Sequence, residues 1–252
     1  MKIFIFLFVA VLLQANQYYS KAQPLWEYHI KSDVSGKVVF CDELKEGSMG
    51  EDKVLIHIDD KIDKIELETT KAEYENLKEM IQISQRVYEL DKTSYEKIKS
   101  LSTYSRTQKD AKLTKMLGSK NTLLSQQTNL AKLKLKIEAL KDKIDKKNIK
   151  ISSKYYIQKI YPKKGEFVNF GSPLVDIADL SFAKLTIFVT DEDLKKLENS
   201  DILIDDKKQK YKILKILKTT DSKNLSGYKV EIAIDAPKIF SKLVKVEIKE
   251  KR

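Results

Sequence analysis

Cysteine, histidine, proline and glycine are all scarce in this sequence of 252 residues, which has 1 Cys, 2 His, 4 Pro and 7 Gly. A single cysteine excludes an intramolecular disulfide and a thiolate metal cluster. Cys41 stands in a β-rich run and is interpreted as a small buried residue. Because turns depend on glycine and proline, their scarcity predicts that a good part of the chain is helical.

Arrangements of residues typical of enzymes are also missing. His29 and His57 stand in β-like runs without a nucleophile and an acid spaced around them, and no HExxH motif occurs. The paired aspartates at 59–60 and 205–206 are interpreted as turn formers at strand ends. We therefore predict a protein that is not an enzyme and that has no catalytic, metal-binding or cofactor-binding residues.

The positive charge of the chain is concentrated in one segment. The net charge is +11, and residues 106–150 carry 13 Lys/Arg against 4 Asp/Glu, whereas residues 60–105 carry 8 against 10. A basic segment can be a solvated helix face or can steer an acidic partner. A basic coiled coil that binds nucleic acid is the alternative from another class, but aromatic stacking platforms and nucleic-acid motifs are missing.

The N-terminus predicts export from the cytoplasm. Lys2 precedes an uninterrupted apolar run over residues 3–13, which is shorter than the about 20 residues of a membrane-spanning helix. Small residues at Ser20 and Ala22 predict a signal peptide over residues 1–22, cleaved after Ala22, and Ala15 is a second candidate for the cleavage site. The alternative is that this segment is retained as an anchor.

The middle of the chain, residues 60–149, has the sevenfold repeat of a coiled coil. Three sets of core-facing positions, mostly apolar, recur every seven residues. Two sets lie in the first half: Tyr74, Ile81, Tyr88 and Tyr95, and Leu77, Ser84, Asp91 and Ile98. The third lies in the second half and consists of Met116, Leu123, Leu130, Ile137 and Ile144, with Leu133 and Leu140 on the same face. The polar segment 100–105 between the halves predicts a reversal, so the two helices form an antiparallel hairpin. Ser84, Asp91 and Gln127 fall in or near the seams and face either the other helix or a neighbouring subunit.

The β-rich segments on either side of the hairpin resemble the two halves of a biotinyl/lipoyl carrier domain. In the second half, Gly165 and Gly171 stand six residues apart around a turn. Residues 46–59 resemble the same motif, with Gly47 matching and Asp52 in place of the second glycine, and Gly36 lies in a strand–glycine–strand opening. The hairpin replaces the loop that carries the modified lysine in carrier domains, so no attachment site is assigned.

A lipoyl-like domain split by a coiled coil behind a secretion signal resembles the periplasmic adaptors, or membrane fusion proteins, of the HlyD-like family. The resemblance implies an elongated α+β fold with a lipoyl-like domain over residues 28–59 and 150–180, a helical hairpin over 60–149 and a small β-barrel over 181–252. Within that barrel, Thr190 is predicted to cap a short helix, with Asp193 as the acid of a capping box.

In family members that dock on TolC-type channels, the hairpin tip carries an Arg, an apolar residue four positions later and a Ser eleven positions later. Here Ile98 and Ser105 match, and Ser94 stands in place of the Arg. Lys97, Lys99 or Arg106 could supply the missing charge. The resemblance implies that Ser94, Ile98, Leu101, Ser105 and Arg106 form a partner-binding tip, while the alternative is that Ile98 and Leu101 only close the end of the coiled coil.

The function implied by the resemblance is that of an adaptor in a tripartite efflux pump. Such an adaptor lies in the periplasm, associated with the inner membrane, and links an inner-membrane RND or ABC transporter to a TolC-type outer-membrane channel. It works as a homo-oligomer, often a hexamer, whose hairpins bundle into a tube. An adaptor for type I protein secretion is the nearest alternative.

Overall fold

A computed structural model describes residues 16–197, 200–221 and 224–250 of the chain. The apolar run of the predicted signal lies outside these residues. The helices are α1 (Lys61–Ile98), α2 (Arg106–Lys146) and α3 (Asp191–Lys196). The strands are β1 (Asn16–Lys21), β2 (Gln23–Lys31), β3 (Gly36–Cys41), β4 (Val54–Ile58), β5 (Asn148–Lys150), β6 (Tyr155–Ile160), β7 (Phe167–Val168), β8 (Pro173–Val189), β9 (Ser200–Ile204), β10 (Lys207–Lys208), β11 (Tyr211–Asp221), β12 (Asn224–Asp235) and β13 (Leu243–Glu250).

The first β domain is assembled from chain segments on both sides of the hairpin. Its sheet runs in the order β5-β4-β3-β7, so the two strands from before the hairpin lie between two strands from after it. Val38, Ile56 and Ile58 from the first segment are buried together with Ile157 and Leu174 from the second segment. Neither segment could bury these side chains alone, so the hydrophobic effect holds the two halves together.

The two halves of this domain have the same backbone conformation at their matching turns. The residues at the matching turns all have a positive φ: Gly47 (83°), Asp52 (59°), Gly165 (98°) and Gly171 (81°). The tight turn that we predicted at Gly171 is thus confirmed. Aspartate is one of the few residues other than glycine that adopt this left-handed conformation readily, which explains how Asp52 replaces the second glycine of the first half. At Gly36 the constraint is space, because an added Cβ would lie 2.6 Å from Ile58 Cγ2.

The second β domain consists of two sheets that pack on one apolar core. One sheet has the order β1-β13-β9-β10 and the other β11-β12-β8-β2. Leu185, Ile187, Val230, Ile232 and Val246 are buried between them. The predicted barrel therefore takes the form of two facing sheets.

The short helix of this domain begins where the sequence predicted. Thr190 caps α3, because its hydroxyl accepts a hydrogen bond from the backbone N of Asp193 at 3.3 Å. The carboxylate of Asp193 accepts a hydrogen bond from the Tyr18 hydroxyl of β1. The helix is thus tied to the first described strand of the chain.

Two long strands connect the β domains without a linker. Strand β8 pairs with β6 in the first domain through residues 175–179 and with β12 in the second through residues 182–189. Strand β2 pairs with β8 across both parts. The predicted domain boundary at residue 180 therefore falls inside a continuous strand, and we expect the two domains to move as one body.

Residues 16–22, which the sequence assigned to the signal peptide, take part in the second domain. Strand β1 pairs with β13 from Asn16 opposite Ile248 to Lys21 opposite Leu243. Ala22 is fully buried in the core, and its backbone N donates to the Lys242 carbonyl at 3.0 Å. Cleavage after Ala22 would remove this strand, whereas cleavage after Ala15 would leave it in the mature protein.

Candidate functional site

The candidate site is the helical hairpin, whose seam follows the predicted sevenfold repeat. Each seam residue named from the sequence, apart from Gln127, is buried or half-buried. Near the base, Leu67 packs with Ile137 and Leu140. The predicted coiled-coil seams are thus confirmed. At a rise of about 1.5 Å per residue, the two helices extend about 60 Å from the first β domain.

Polar side chains occupy the seam in the outer half of the hairpin. Asp91 is buried and its carboxylate lies 3.0 Å from the Lys115 ammonium of α2. The polar residue of the α2 seam is Gln126 rather than the predicted Gln127, which is exposed, because the repeat through Leu133 and Leu140 reaches residue 126. In the described part of the chain, the side-chain oxygen of Gln126 is buried without a hydrogen-bond partner.

A cluster of charges fixes the hairpin to the first β domain at its base. The Asp63 carboxylate lies 2.7 Å from the Lys143 ammonium and also accepts a hydrogen bond from Lys147. Lys147 is itself buried and donates a second hydrogen bond to the Asp59 carbonyl at 2.6 Å. Although burial by itself would raise it, the hydrogen bonds from Lys143 and Lys147 hold the pKa of Asp63 below its ordinary value. Asp63 therefore joins both helices and the strand end that precedes them.

The tip of the hairpin is the seven-residue loop between α1 and α2, at the reversal that the sequence predicted. Ser105 caps α2 in a capping box: its hydroxyl accepts from the Gln108 backbone N, and the Gln108 side chain accepts from the Ser105 backbone N at 2.9 Å. Ser105 thus orders the tip, and its hydroxyl proton stays available to a partner.

Burial separates the predicted tip residues into two groups. Ile98 is only 8% exposed, which places it under the loop as a support, whereas Leu101 is 45% exposed. Ser94 is half-buried and its hydroxyl donates to the Leu90 carbonyl at 2.8 Å, so it does not replace the charge of an Arg. Arg106 is almost fully exposed, and its Nε lies 3.8 Å from the Asp110 carboxylate, so most of this side chain faces solvent.

The structure adds one tip residue that sequence matching missed. Tyr104 is 41% exposed in the same loop as Leu101, so both side chains contribute apolar surface to the tip. Tyr104 is absent from the family pattern of Arg, apolar residue and Ser, but an aromatic residue in a polar loop is a signal in its own right, since aromatic residues are enriched at interfaces. The docking role of the tip stays a prediction.

The flanks of the hairpin expose further apolar side chains. In the outer half of the helices they form two groups: Met80, Ile83, Val87 and Leu90 on α1, and Leu117 and Leu124 on α2 together with the half-buried Leu113. Within the described ranges, no helix combines the length and the apolar composition that a membrane crossing requires. Nor does this part of the chain contain a group of at least three His, Cys, Asp or Glu side chains placed to hold a metal ion.

Comparison with known proteins finds similarity in structure rather than in sequence. No model of a protein family matches the sequence, and no curated protein matches it. Among solved structures, MacA from Actinobacillus actinomycetemcomitans superposes with a TM-score of 0.72 at 16% identity, over 94% of this chain and 79% of MacA.

Two further structures each match 94% of this chain at 12% identity. A putative efflux transporter from Bacteroides eggerthii has a TM-score of 0.56 over 69% of its length, and the membrane fusion protein Spr0693 from Streptococcus pneumoniae has 0.57 over 100%. The order of split β domain, helical hairpin and second β domain is thus shared along nearly the whole chain. The protein has the fold of the membrane fusion proteins, the periplasmic adaptor family that its sequence resembles.

Proposed function

We propose that this protein is the periplasmic adaptor subunit of a tripartite efflux pump, associated with the inner membrane, that links an inner-membrane transporter to a TolC-type outer-membrane channel. The observation that carries the proposal is that the two ends of the molecule are different. The hairpin tip lies at one end, and the first described strand, β1, enters the second β domain at the other. A leader or anchor at the N-terminus and a channel at the tip would thus lie on opposite sides of the protein.

The comparisons support this proposal in two ways. The similar structures include a putative efflux transporter and a membrane fusion protein. The match extends over the hairpin and both β domains rather than over one module alone, because each structure covers 94% of this chain.

The work of such an adaptor is mechanical rather than enzymatic. The two β domains share the continuous strands β2 and β8, and the buried charge cluster at Asp63 fixes the hairpin to the first of them. A displacement of the β domains would therefore be transmitted to the tip about 60 Å away. The transporter supplies the energy, and several copies of the adaptor surround the path of the substrate.

Substitutions at the tip test the docking role. We expect Leu101→Asp together with Tyr104→Asp to abolish export in cells that lack the native protein, because a charge desolvated in an apolar contact costs several kcal/mol. The melting temperature should stay unchanged, since both side chains are exposed and lie far from the β domains. Leu135→Asp is the matched control, because Leu135 is an exposed leucine in the inner part of the same hairpin.

A crosslinking measurement identifies the partner directly. A photo-crosslinking residue at position 101 should capture the outer-membrane channel, and the same residue at position 135 should not. Full export by the doubly substituted tip variant would contradict a docking role of Leu101 and Tyr104. Export of a protein instead of small solutes would favour an adaptor for type I secretion.

A further inference from the structure

An open groove lies on the outer face of the second β domain. Its volume is about 310 Å³, at the lower end of the range of roughly 300–1,000 Å³ that ligand pockets occupy. Strands β2, β8, β11 and β12 line it, together with the segment that precedes β11. Neither the hairpin tip nor the charge cluster at the base of the hairpin lies on this surface.

The register of the strands explains why a groove forms at this place. Lys212, Ala233 and Lys184 stand opposite one another on β11, β12 and β8. Side chains alternate between the two faces of a strand, and the adjacent Ile232 and Leu185 are buried in the core, so these three point outward. The small alanine thus lies between two long lysines whose Cβ atoms are about 5 Å from its own, which leaves a depression in the sheet.

Apolar side chains extend this depression across the sheet. Phe182 lies on the outer face of β8 and is 49% exposed, and Leu214 of β11 is 39% exposed. Leu25 joins them at the bulge of β2 between Pro24 and Trp26. Together with the central alanine, these side chains form a continuous apolar floor, and an exposed apolar surface of this kind indicates a binding site.

The charge around the groove is positive. Five lysines and two acids surround it: Lys184, Lys210, Lys212, Lys215 and Lys229, with Glu231 and Asp235. The hydrogen bond from Lys229, with the charges of Lys229, Lys184 and Lys215, holds the pKa of Glu231 below its ordinary value. No acid among the residues that the structure describes lies within ion-pair distance of Lys184 or Lys212. The apolar floor is thus flanked by two cations without a counter-ion in this part of the chain.

This combination suits a ligand that carries a negative charge at one end and an apolar chain at the other. An ammonium group on either side of the floor attracts an anionic group and donates hydrogen bonds to it. The floor gains from an apolar chain, because contact with it removes apolar surface from water. A cationic amphiphile would be repelled by the lysines, and an acidic peptide without apolar side chains would leave the floor uncovered.

We propose that this groove binds an anionic amphiphile, whose acid group lies between Lys184 and Lys212 and whose alkyl chain lies along Phe182 and Leu25. Asp235 stands opposite Phe182 at the rim, so its charge opposes the acid group and limits the affinity. The site goes beyond the proposed function, because it gives a ligand to a surface that neither docking at the tip nor coupling of the domains uses.

Calorimetric titration of the full-length protein tests the proposal with sodium decanoate, kept below the concentration at which it forms micelles. Decanoate should bind with saturation, and the backbone NMR signals of Ala233 and Phe182 should shift. Decyltrimethylammonium, which carries the opposite charge on the same chain, should not bind. Butyrate, which keeps the acid group but lacks most of the chain, should bind more weakly by about tenfold or more.

A substitution at the centre of the groove locates the site. Ala233→Phe fills the depression and should abolish decanoate binding. The melting temperature should not fall, because the side chain points outward and phenylalanine suits a strand. Ala111→Phe is the matched control, since Ala111 is an exposed alanine of α2, and this variant should bind decanoate like the native protein.

Substitutions of the charged residues test the position of the acid group. Lys184→Gln combined with Lys212→Gln should weaken decanoate binding by about tenfold, and Asp235→Asn should strengthen it by about threefold. The control removes two exposed lysines of the first β domain, Lys163→Gln with Lys164→Gln, and should leave binding unchanged.

Four results would overturn the proposal. They are absence of decanoate binding to the native protein, undiminished binding by Ala233→Phe, unchanged binding by the double lysine variant, and equal binding of decyltrimethylammonium. A polyglutamate peptide serves as a further probe, and its binding in place of decanoate would assign the groove to an acidic protein instead. All of these measurements use purified protein, so their outcome is independent of whether the chain supports export.

Discussion

At the scale of single residues, the structure depends on a few side chains whose neighbours are distant in sequence. Asp63 and Lys147 are both buried and pair across the base of the hairpin. A buried charge is tolerated only when it is paired and hydrogen-bonded, and here both conditions are met. Together with Lys143, this pair links the start of α1 to the end of α2 beside the first β domain.

Removal of the Asp63 charge should loosen the base of the hairpin. We expect Asp63→Asn to lower the free energy of unfolding by about 3 kcal/mol, because it leaves the Lys147 ammonium buried without its counter-ion. Asp63→Asn combined with Lys147→Met should lose less, since no unpaired charge remains. Urea unfolding followed by circular dichroism measures both, and an equal loss in the two variants would contradict this account.

The same pair gives a pH dependence with a definite sign. Because the pKa of Asp63 is lowered in the folded protein, its contribution to stability is present at pH values above about 4 and is lost as the pH falls through the lowered pKa. The difference in stability between the native protein and Asp63→Asn should therefore shrink on acidification. A difference that stays constant down to pH 2 would show that the carboxylate charge is not involved.

Two glycines allow a matched test of the turn assignment. Gly171 has a φ of 81° and Gly118 lies in α2, and an added Cβ would meet no atom within 4 Å at either position. Gly171→Ala should cost about 1–2 kcal/mol because of its left-handed backbone, whereas Gly118→Ala should stabilise the helix by about 0.5–1 kcal/mol. Thermal melting compares the two, and equal shifts would exclude backbone strain at Gly171 as the cause.

At the scale of elements, strand β1 has the largest consequence for how the mature protein is formed. Its six residues pair with β13 along their whole length, and Tyr18 in it hydrogen-bonds to Asp193 of α3. Without β1, strand β13 would become an exposed edge and the core beneath Ala22 would open. The small side chains near Ala22, which indicate a cleavage site in the sequence, thus also suit the end of a strand that packs on a dense core.

We expect the mature chain to begin at Asn16 rather than at Gln23. Cleavage after Ala15 keeps β1 and its hydrogen bonds, so folding of the second β domain favours this site. N-terminal sequencing of the exported protein distinguishes the two sites. A truncated protein that begins at Gln23 and melts at the same temperature as one that begins at Asn16 would show that β1 is dispensable.

At the scale of the whole molecule, the hairpin is an insertion between two strand ends that are already neighbours. The Ile58 backbone N donates to the Lys147 carbonyl at 2.9 Å, and His57 pairs with Asn148 across β4 and β5. The chain thus leaves the first β domain and returns to it at one point. Because the cores of the two β domains contain no hairpin residue, their stability should not depend on the helices.

Deletion of the hairpin tests this independence. We expect a chain in which residues 59–146 are replaced by Asn-Gly, a turn that suits a two-residue hairpin, to keep a cooperative thermal transition. The measurement is the loss of β signal in circular dichroism on heating. A shortened chain without a cooperative transition would show that the two halves of the first domain need the hairpin in order to meet.

The sequence by itself determined the elements whose signals are local. The seams of the hairpin, the reversal at residues 100–105 and the cap at Thr190 were predicted correctly, because helical repeats and caps depend on residues within a few positions of each other. The turn motif at Gly171 belongs to the same class, since its backbone conformation is a property of four consecutive residues.

Only the tertiary structure decided which of these residues are exposed and which chain segments meet. Ile98 and Leu101 are equally apolar, yet the packing of two helices covers the first and leaves the second open. From the sequence, residues 16–22 were interpreted as part of a cleaved signal. In the structure they pair with β13, which lies more than 200 residues later in the chain. Burial and strand pairing depend on surfaces that distant segments form together, and no pattern within either segment alone contains that information.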